Sequence, residues 1–170
     1  MKKFIILLLF FILFSCASKK QQSSDIICPK VLYSKQDRVY ITTEESEINL
    51  NNISYKAKIN NHNINSCYFS NDSLVFDLSI LFVVEPHNAT KKSIELPFYI
   101  ALINNEEIIN DIQFYIHNDE LKKDTNDSFL QTDSLINNTF IIRLDAVKEF
   151  SNNKILLGFL LDNQKINIIN

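Results

Sequence analysis

From about residue 48 onward, apolar and polar residues alternate along the chain, and this pattern predicts β-strands. Residues 73–84 alternate over twelve positions, and residues 54–59 repeat the pattern on a smaller scale. A period of two is the signature of a strand with one buried face. In the longer segment, the face predicted to be buried carries Leu74, Phe76, Leu78, Ile80 and Phe82, while Asp77 and Ser79 fall on the opposite face.

Further strands are predicted downstream. Residues 97–103 and 108–117 are apolar runs separated by Asn104-Asn105-Glu106-Glu107, which predicts a hairpin because Asn tolerates positive φ. Residues 129–135, 139–144 and 155–161 add three strands. The last is apolar on both faces and is therefore expected to be central, with Gly158 allowing close approach of a neighbour. An edge strand is predicted near residues 39–42. The aromatic side chains predicted to face the core are Phe76, Phe82, Phe98, Phe114, Phe140 and Phe159.

About seven strands with almost no helical periodicity indicate an all-β fold. Residues 48–162 have about the length of an immunoglobulin-like sandwich, roughly 100 residues. We therefore predict a single immunoglobulin-like antiparallel β-sandwich, with a small β-barrel as the alternative. The chain has no Trp, and the inter-sheet disulfide of antibody domains is not expected, so the likeness is one of architecture only.

The N-terminus predicts export. Residues 4–14 form an unbroken apolar run after Lys2 and Lys3. As a helix this run would span roughly 16 Å, about half of a bilayer core, and it fits the apolar region of a signal peptide. Leu13-Phe14-Ser15-Cys16 follows and resembles a bacterial lipobox. The resemblance implies cleavage before Cys16 and acylation of its thiol and amino group, palmitate included. An uncleaved anchor and an ordinary secretory signal remain the alternatives.

The predicted signal peptide and lipobox set the expected organisation of the chain. They predict a signal peptide at 1–15, a lipidated tether at 16–24, an extended segment at 25–47, the sandwich at 48–162 and a tail at 163–170. The residues after Cys16 are Ala17 and Ser18. By analogy with bacterial sorting, this predicts an outer-membrane lipoprotein facing the periplasm. The mature 155 residues carry 15 Lys and Arg against 20 Asp and Glu, a net charge of −5, without a basic cluster. We therefore expect no nucleic-acid partner.

The predicted export determines which state we expect for the cysteines. If Cys16 carries lipid, Cys28 and Cys67 remain in an oxidising compartment, which favours a disulfide closing a loop of about 40 residues. Two free thiols, or a metal site with His62, His87 or His117, are the alternatives. Because no CxxC or HxxxH spacing occurs, we predict no metal site.

Several short segments carry a resemblance to a known family. They are Cys28-Pro29-Lys30-Val31, Ile53-Ser54-Tyr55-Lys56-Ala57, Ser66-Cys67-Tyr68, Phe98-Tyr99-Ile100-Ala101-Leu102-Ile103 and Leu156-Leu157-Gly158-Phe159. Together these segments are similar to a family of small alphaproteobacterial envelope lipoproteins. The resemblance implies that Cys28 pairs with Cys67 and that the mature part is a β-sandwich. The family has no catalytic motif, so the resemblance supplies no functional residue.

The amino-acid composition excludes several kinds of catalytic and ligand-binding site. The single glycine excludes phosphate-binding loops and the GxSxG nucleophile elbow. Carboxylates such as Asp72 and Asp77, or Glu85 with His87, could be catalytic only if the fold brought them together. We expect a protein that is not an enzyme and uses no cofactor. The predicted function is a structural or protein-interaction module of the envelope, with outer-membrane β-barrel assembly as one version and the extended segment as its contact. A carrier of an apolar ligand such as a lipid is the alternative.

Overall fold

The structure is a computed structural model that describes residues 28–43, 51–71, 73–104, 109–143 and 153–162. Within these ranges the chain forms eight strands and no helix. In chain order they are β1 (Lys30–Tyr33), β2 (Val39–Thr43), β3 (Ile53–Ser70), β4 (Ser73–Pro86), β5 (Ser93–Ile103), β6 (Ile109–Glu120), β7 (Thr132–Arg143) and β8 (Lys154–Phe159).

The strands form two four-stranded sheets that pack face to face. Sheet A has the order β1-β8-β5-β6, and sheet B has the order β2-β3-β4-β7. All neighbouring pairs are antiparallel except β1 with β8, which is parallel. The predicted sandwich is confirmed, and the barrel alternative is wrong because the sheets do not close into one another. The likeness to immunoglobulin domains lies in the architecture, since the meander β2-β3-β4 fills most of one sheet here.

Alternation along the central strands builds the core as predicted. Leu74, Phe76, Leu78, Ile80 and Phe82 of β4 are all fully buried, and so are Ala57 and Ile59 of β3. From sheet A, the side chains of Phe98 and Phe159 pack against Phe82, with ring centroids 5.7 and 5.5 Å from it. Each such aromatic side chain removes roughly 150–250 Å² from water, so these contacts dominate the energy that holds the sheets together.

The predicted central strand and hairpin are both present. β8 lies between β1 and β5, and β5 pairs with β6 in the antiparallel manner of a hairpin. Its turn, residues 105–108, lies outside the described residues. Gly158 of β8 sits opposite Tyr99 of β5. A Cβ atom on Gly158 would come within 2.7 Å of the Tyr99 ring, so only glycine leaves room for that ring.

One residue that was predicted to lie in the core, Phe114, faces solvent instead. Phe114 was expected to face inward, but its side chain is 59% exposed on the outer face of β6, between Ile112 and Ile116. The inward position is taken by Tyr115, which stacks on Phe98 with the ring centroids 5.4 Å apart. A shift of one residue in register moves every side chain to the other face. Because β6 carries aromatic residues on both faces, its alternation did not say which one is buried.

The segment predicted to be extended supplies one edge strand to each sheet. After β1 in sheet A, the carbonyl of Asp37 accepts a hydrogen bond from the amide of Phe159 in the same sheet. The next carbonyl, that of Arg38, accepts one from the amide of Ile59 in sheet B. The chain therefore crosses between the sheets at this point. The predicted edge strand near 39–42 is confirmed as β2, which lies at the edge of sheet B and, within the described ranges, pairs with β3 alone.

Candidate functional site

The sulfur atoms of Cys28 and Cys67 lie at disulfide distance, with the Cα atoms 5.9 Å apart. Cys28 directly precedes β1 of sheet A, while Cys67 belongs to β3 of sheet B. The pair therefore links the two sheets where the chain enters the sandwich. Of the histidines considered for a metal site with these cysteines, His62 instead accepts or donates a hydrogen bond at Nδ1 with the Tyr33 hydroxyl, 2.5 Å away. Among the described residues, no three His, Cys, Asp or Glu side chains are grouped as metal ligands.

A second tyrosine hydroxyl ties the sheets together in the core. Tyr55 of β3 donates a hydrogen bond to the carbonyl of Glu95 in β5, at 2.8 Å, and accepts one from the amide of the same residue, at 3.0 Å. Burial raises the pKa of Tyr55 to about 12. At physiological pH this hydroxyl is protonated and acts as a fixed structural link.

The open side of the sandwich, between edge strands β6 and β7, is joined by polar side chains. His117 Nε2 lies 2.9 Å from Ser134 Oγ, and the Ser134 hydroxyl donates a short hydrogen bond to Asp119 Oδ2. Further along, Gln113 donates to the carbonyl of Ile141, which lies in edge strand β7. Gln113, His117 and Asp119 thus find partners across the gap, while Asp111 accepts a hydrogen bond from Gln113 on its own strand.

The Ser134, His117 and Asp119 side chains contain the residue types of a nucleophilic triad in a different order. In a triad, His takes the proton of Ser and the carboxylate orients the His. Here the Ser134 hydroxyl donates its hydrogen bond to Asp119. His117 Nε2 therefore acts as the donor in its hydrogen bond with Ser134. Ser134 is also fully buried. This arrangement joins two strands and does not present a nucleophile to a substrate.

The pKa values in the cluster of His117, Asp119 and Ser134 make the stability of the fold depend on pH. Burial lowers the pKa of His117 below its ordinary value of 6.5. The unfolded chain therefore binds a proton more readily than the folded one, and the stability contributed by neutral His117 is full above about pH 6.5 and is lost as the pH falls through the folded pKa. His62 has its pKa lowered in the same direction by burial. Burial opposes ionisation of Asp119, but hydrogen bonds from Ser134 and the Glu120 amide leave its pKa below the usual range.

We expect acidification from pH 7 to pH 5 to lower the melting temperature, and His117→Gln to make that decrease smaller. The measurement is thermal unfolding of both chains across this range. His87→Gln is the matched control, because His87 is exposed in the loop after β4 and should leave the pH profile unchanged. Identical profiles for wild type and His117→Gln would contradict the assignment.

The remaining acid-base candidates are not brought together. Asp77 lies on the outer face of sheet B, and Glu85 is exposed near the end of β4 opposite Lys56. The backbone amide of His87 binds the Ser54 carbonyl. Asp72 lies outside the described residues. Asp77 instead accepts hydrogen bonds from Ser66 and Thr139, which the alternation of β3 and β7 alone did not predict.

The most exposed apolar side chains on sheet A lie on its edge strand. Ile112, Phe114 and Ile116 of β6, here called the apolar strip, are 36, 59 and 60% exposed. They continue an outer face that also carries Ala101, Tyr99 and Pro97 of β5 at the paired positions. The alternation of residues 108–117 places the three strip residues on one face, and the prediction that Phe114 of that face is buried is wrong.

No protein family, no curated protein and no solved structure matches this chain. Within the described residues, no helix has the length and apolar character needed to cross a membrane. The inference of function therefore rests on this chain's own surfaces.

Proposed function

We propose that the protein is a lipid-anchored envelope lipoprotein, held in the outer membrane through Cys16 and facing the periplasm, that acts as a non-catalytic protein-interaction module. The lipobox supports the anchor. The Cys28 and Cys67 sulfur atoms at disulfide distance support an oxidising compartment, where such bonds persist.

The apolar strip is the observation that carries the interaction role. Among the described residues, β6 is an edge strand that is paired on one side only, and its outward face places Ile112, Phe114 and Ile116 in water. Side chains two residues apart repeat every ~7 Å, so the strip is about 14 Å long. Edge strands are usually protected by charges or prolines. A long edge strand with an exposed apolar face is typical of a site that another chain covers.

The partner we propose is an envelope protein that adds an extended segment to the free edge of β6. Backbone hydrogen bonds along β6 would supply affinity, and alternate apolar side chains of the segment would cover the strip. The described part of the 25–47 segment contributes β1 and β2 to the sheets. The strip therefore replaces that segment as the proposed contact, and a subunit of outer-membrane assembly is one partner of this kind.

The alternative function, that of a carrier for an apolar ligand such as a lipid, has less support. Such a protein needs a cavity between its sheets, typically 300 Å³ or more. Here the space is occupied by rings such as Phe82, Phe98 and Tyr115, whose neighbouring centroids lie 5.4 to 5.7 Å apart.

Site-specific photocrosslinking in intact cells tests the interaction. With a photoreactive residue at position 114 of the full chain, we expect a protein adduct, and Ile116→Glu in the same chain should reduce its yield about fivefold or more, as expected for loss of more than about 1 kcal/mol of binding. Position 130 is the matched control, because Leu130 is also exposed, at 44%, but lies off the strip. Equal adducts at positions 114 and 130, or adducts to lipid alone, would contradict the proposal.

A further inference from the structure

The outer face of sheet B carries a patch of amides and hydroxyls around Asp77. Three strands contribute to it in register: Ser66, Asp77 and Thr139 form one row, and Asn63, Ser79 and Asn137 form the next. A bulge in β3 between Ile64 and Ser66 leaves Asn65 without a paired residue. Its side chain instead reaches Ser79 Oγ, 2.9 Å away. The lining residues Asn65, Asp77, Asn137, Asn138 and Thr139, here called the amide patch, surround an open cavity of about 350 Å³.

Hydrogen bonds within the patch hold its side chains in position. The hydroxyls of Ser66 and Thr139 donate to the two oxygens of Asp77 at 2.5 and 2.6 Å. These bonds lower the pKa of Asp77, so its carboxylate is ionised at neutral pH. A carboxylate has about four acceptor positions, so both Asp77 oxygens can still accept from a ligand.

The asparagine side chains leave NH₂ donors for a ligand, and each amide oxygen keeps one of its two lone pairs. Asn137 Oδ1 accepts from the Ser79 hydroxyl at 2.5 Å, and Asn138 Oδ1 accepts from the Thr139 amide at 2.9 Å. The Nδ2 groups of Asn137 and Asn138 have no hydrogen-bond partner among the described residues. The patch therefore offers NH₂ donors beside one carboxylate. The NH₂ groups cannot bind a cation, and an anion would be repelled by Asp77. A neutral ligand rich in hydroxyls fits, because each hydroxyl can accept from an amide and donate to the carboxylate.

Apolar side chains border the patch at both ends. The row beyond Ser66 and Thr139 carries Tyr68 and Ile141, which are 48 and 53% exposed. At the other end, next to Asn137, Leu135 is 55% exposed and lines a second cavity of about 210 Å³ with His62. From Tyr68 to Leu135 the face extends about 20 Å at ~7 Å per row. The C–H faces of sugar rings are apolar, and an exposed tyrosine ring offers them a flat surface to pack on.

From this arrangement we propose that the amide patch binds a neutral oligosaccharide chain, with Asp77 and Asn137 binding its hydroxyls and Tyr68 packing against a sugar ring. The patch lies on sheet B and the apolar strip lies on sheet A. Glycan binding and the partner interaction proposed above can therefore succeed or fail separately.

The test is isothermal titration calorimetry of the full chain in a detergent without a sugar headgroup. The probes are chitotetraose, maltotetraose and cellotetraose, and we expect at least one to bind. Asp77→Ala should weaken that binding about tenfold or more, because it removes the hydrogen bonds between the ligand and a charged group. Asp133→Ala is the matched control, since Asp133 is an exposed carboxylate on β7, the strand that also carries Asn137, and lies outside the patch, so this variant should bind as the wild type does.

A second variant covers the case in which Asp77→Ala perturbs folding. Asn137→Ala removes only an exposed side chain and should also weaken binding about fivefold, for the loss of one hydrogen bond. The proposal would be overturned by no measurable heat with any of the three oligosaccharides, or by patch variants that bind as the wild type does. Binding of Ca²⁺ with no oligosaccharide binding would overturn it as well.

Discussion

Loss of the Cys28–Cys67 link is expected to lower the free energy of unfolding by about 4 kcal/mol. The two cysteines are 39 residues apart in sequence, and closing a loop of that length removes about this much chain entropy from the unfolded state. The effect should be large because the link holds β1, a strand of four residues whose one pairing partner in the described part of the chain is β8.

Chemical denaturation of the full chain carrying Cys28→Ala and Cys67→Ala measures this loss. Reduced wild-type protein should unfold close to the double variant, because both lack the covalent link. Each single variant should lose most of the stability that the double variant loses. Non-reducing mass spectrometry gives an independent check, and a mature chain with free thiols at both positions would show that the link is not formed. Unfolding of the double variant within about 1 kcal/mol of wild type would show that it does not stabilise the fold.

Replacing Cys16 with alanine is expected to abolish acylation completely. The thiol of Cys16 is the proposed attachment point, and several acyl chains, each contributing about 0.8 kcal/mol per buried CH₂, are what would hold the domain at the membrane. Without the thiol, processing of the lipoprotein type cannot proceed. Metabolic labelling with an alkyne analogue of palmitate, followed by the mass of the mature chain, measures both effects.

The wild-type chain should incorporate the label and begin at Cys16, while Cys16→Ala should incorporate none. Ser15→Ala is the matched control, because alanine preserves the small residue before the cleavage site and should leave labelling unchanged. Label that persists in Cys16→Ala, or a wild-type chain that begins elsewhere, would show that the lipobox assignment is wrong. Because this experiment reports only on the anchor, its outcome is independent of the apolar strip and the amide patch.

Several features of the fold were predictable because they are properties of a single strand. The buried face of β4 followed from its alternation, and the central place of β8 followed from apolar residues on both of its faces. The second half of β3 was not predicted. Its sequence from Asn60 to Ser66 is rich in asparagine, which is uncommon in strands. It is extended because backbone pairing with β4 continues along it through two bulges, and the alternation of its own residues does not show that pairing.

By itself, the sequence determined the all-β class, the core positions of the central strands and the predicted export address, because each depends on residues that are close together along the chain. Tertiary structure alone decided that Phe114 faces outward and that Ser134 lies between His117 and Asp119. It also decided which residues share rows with Asp77. The physical reason is that alternation defines two faces of a strand without saying which is buried, and register between distant strands is set by packing. Both proposed surfaces, the apolar strip and the amide patch, depend on which strand face is buried and on the register between strands.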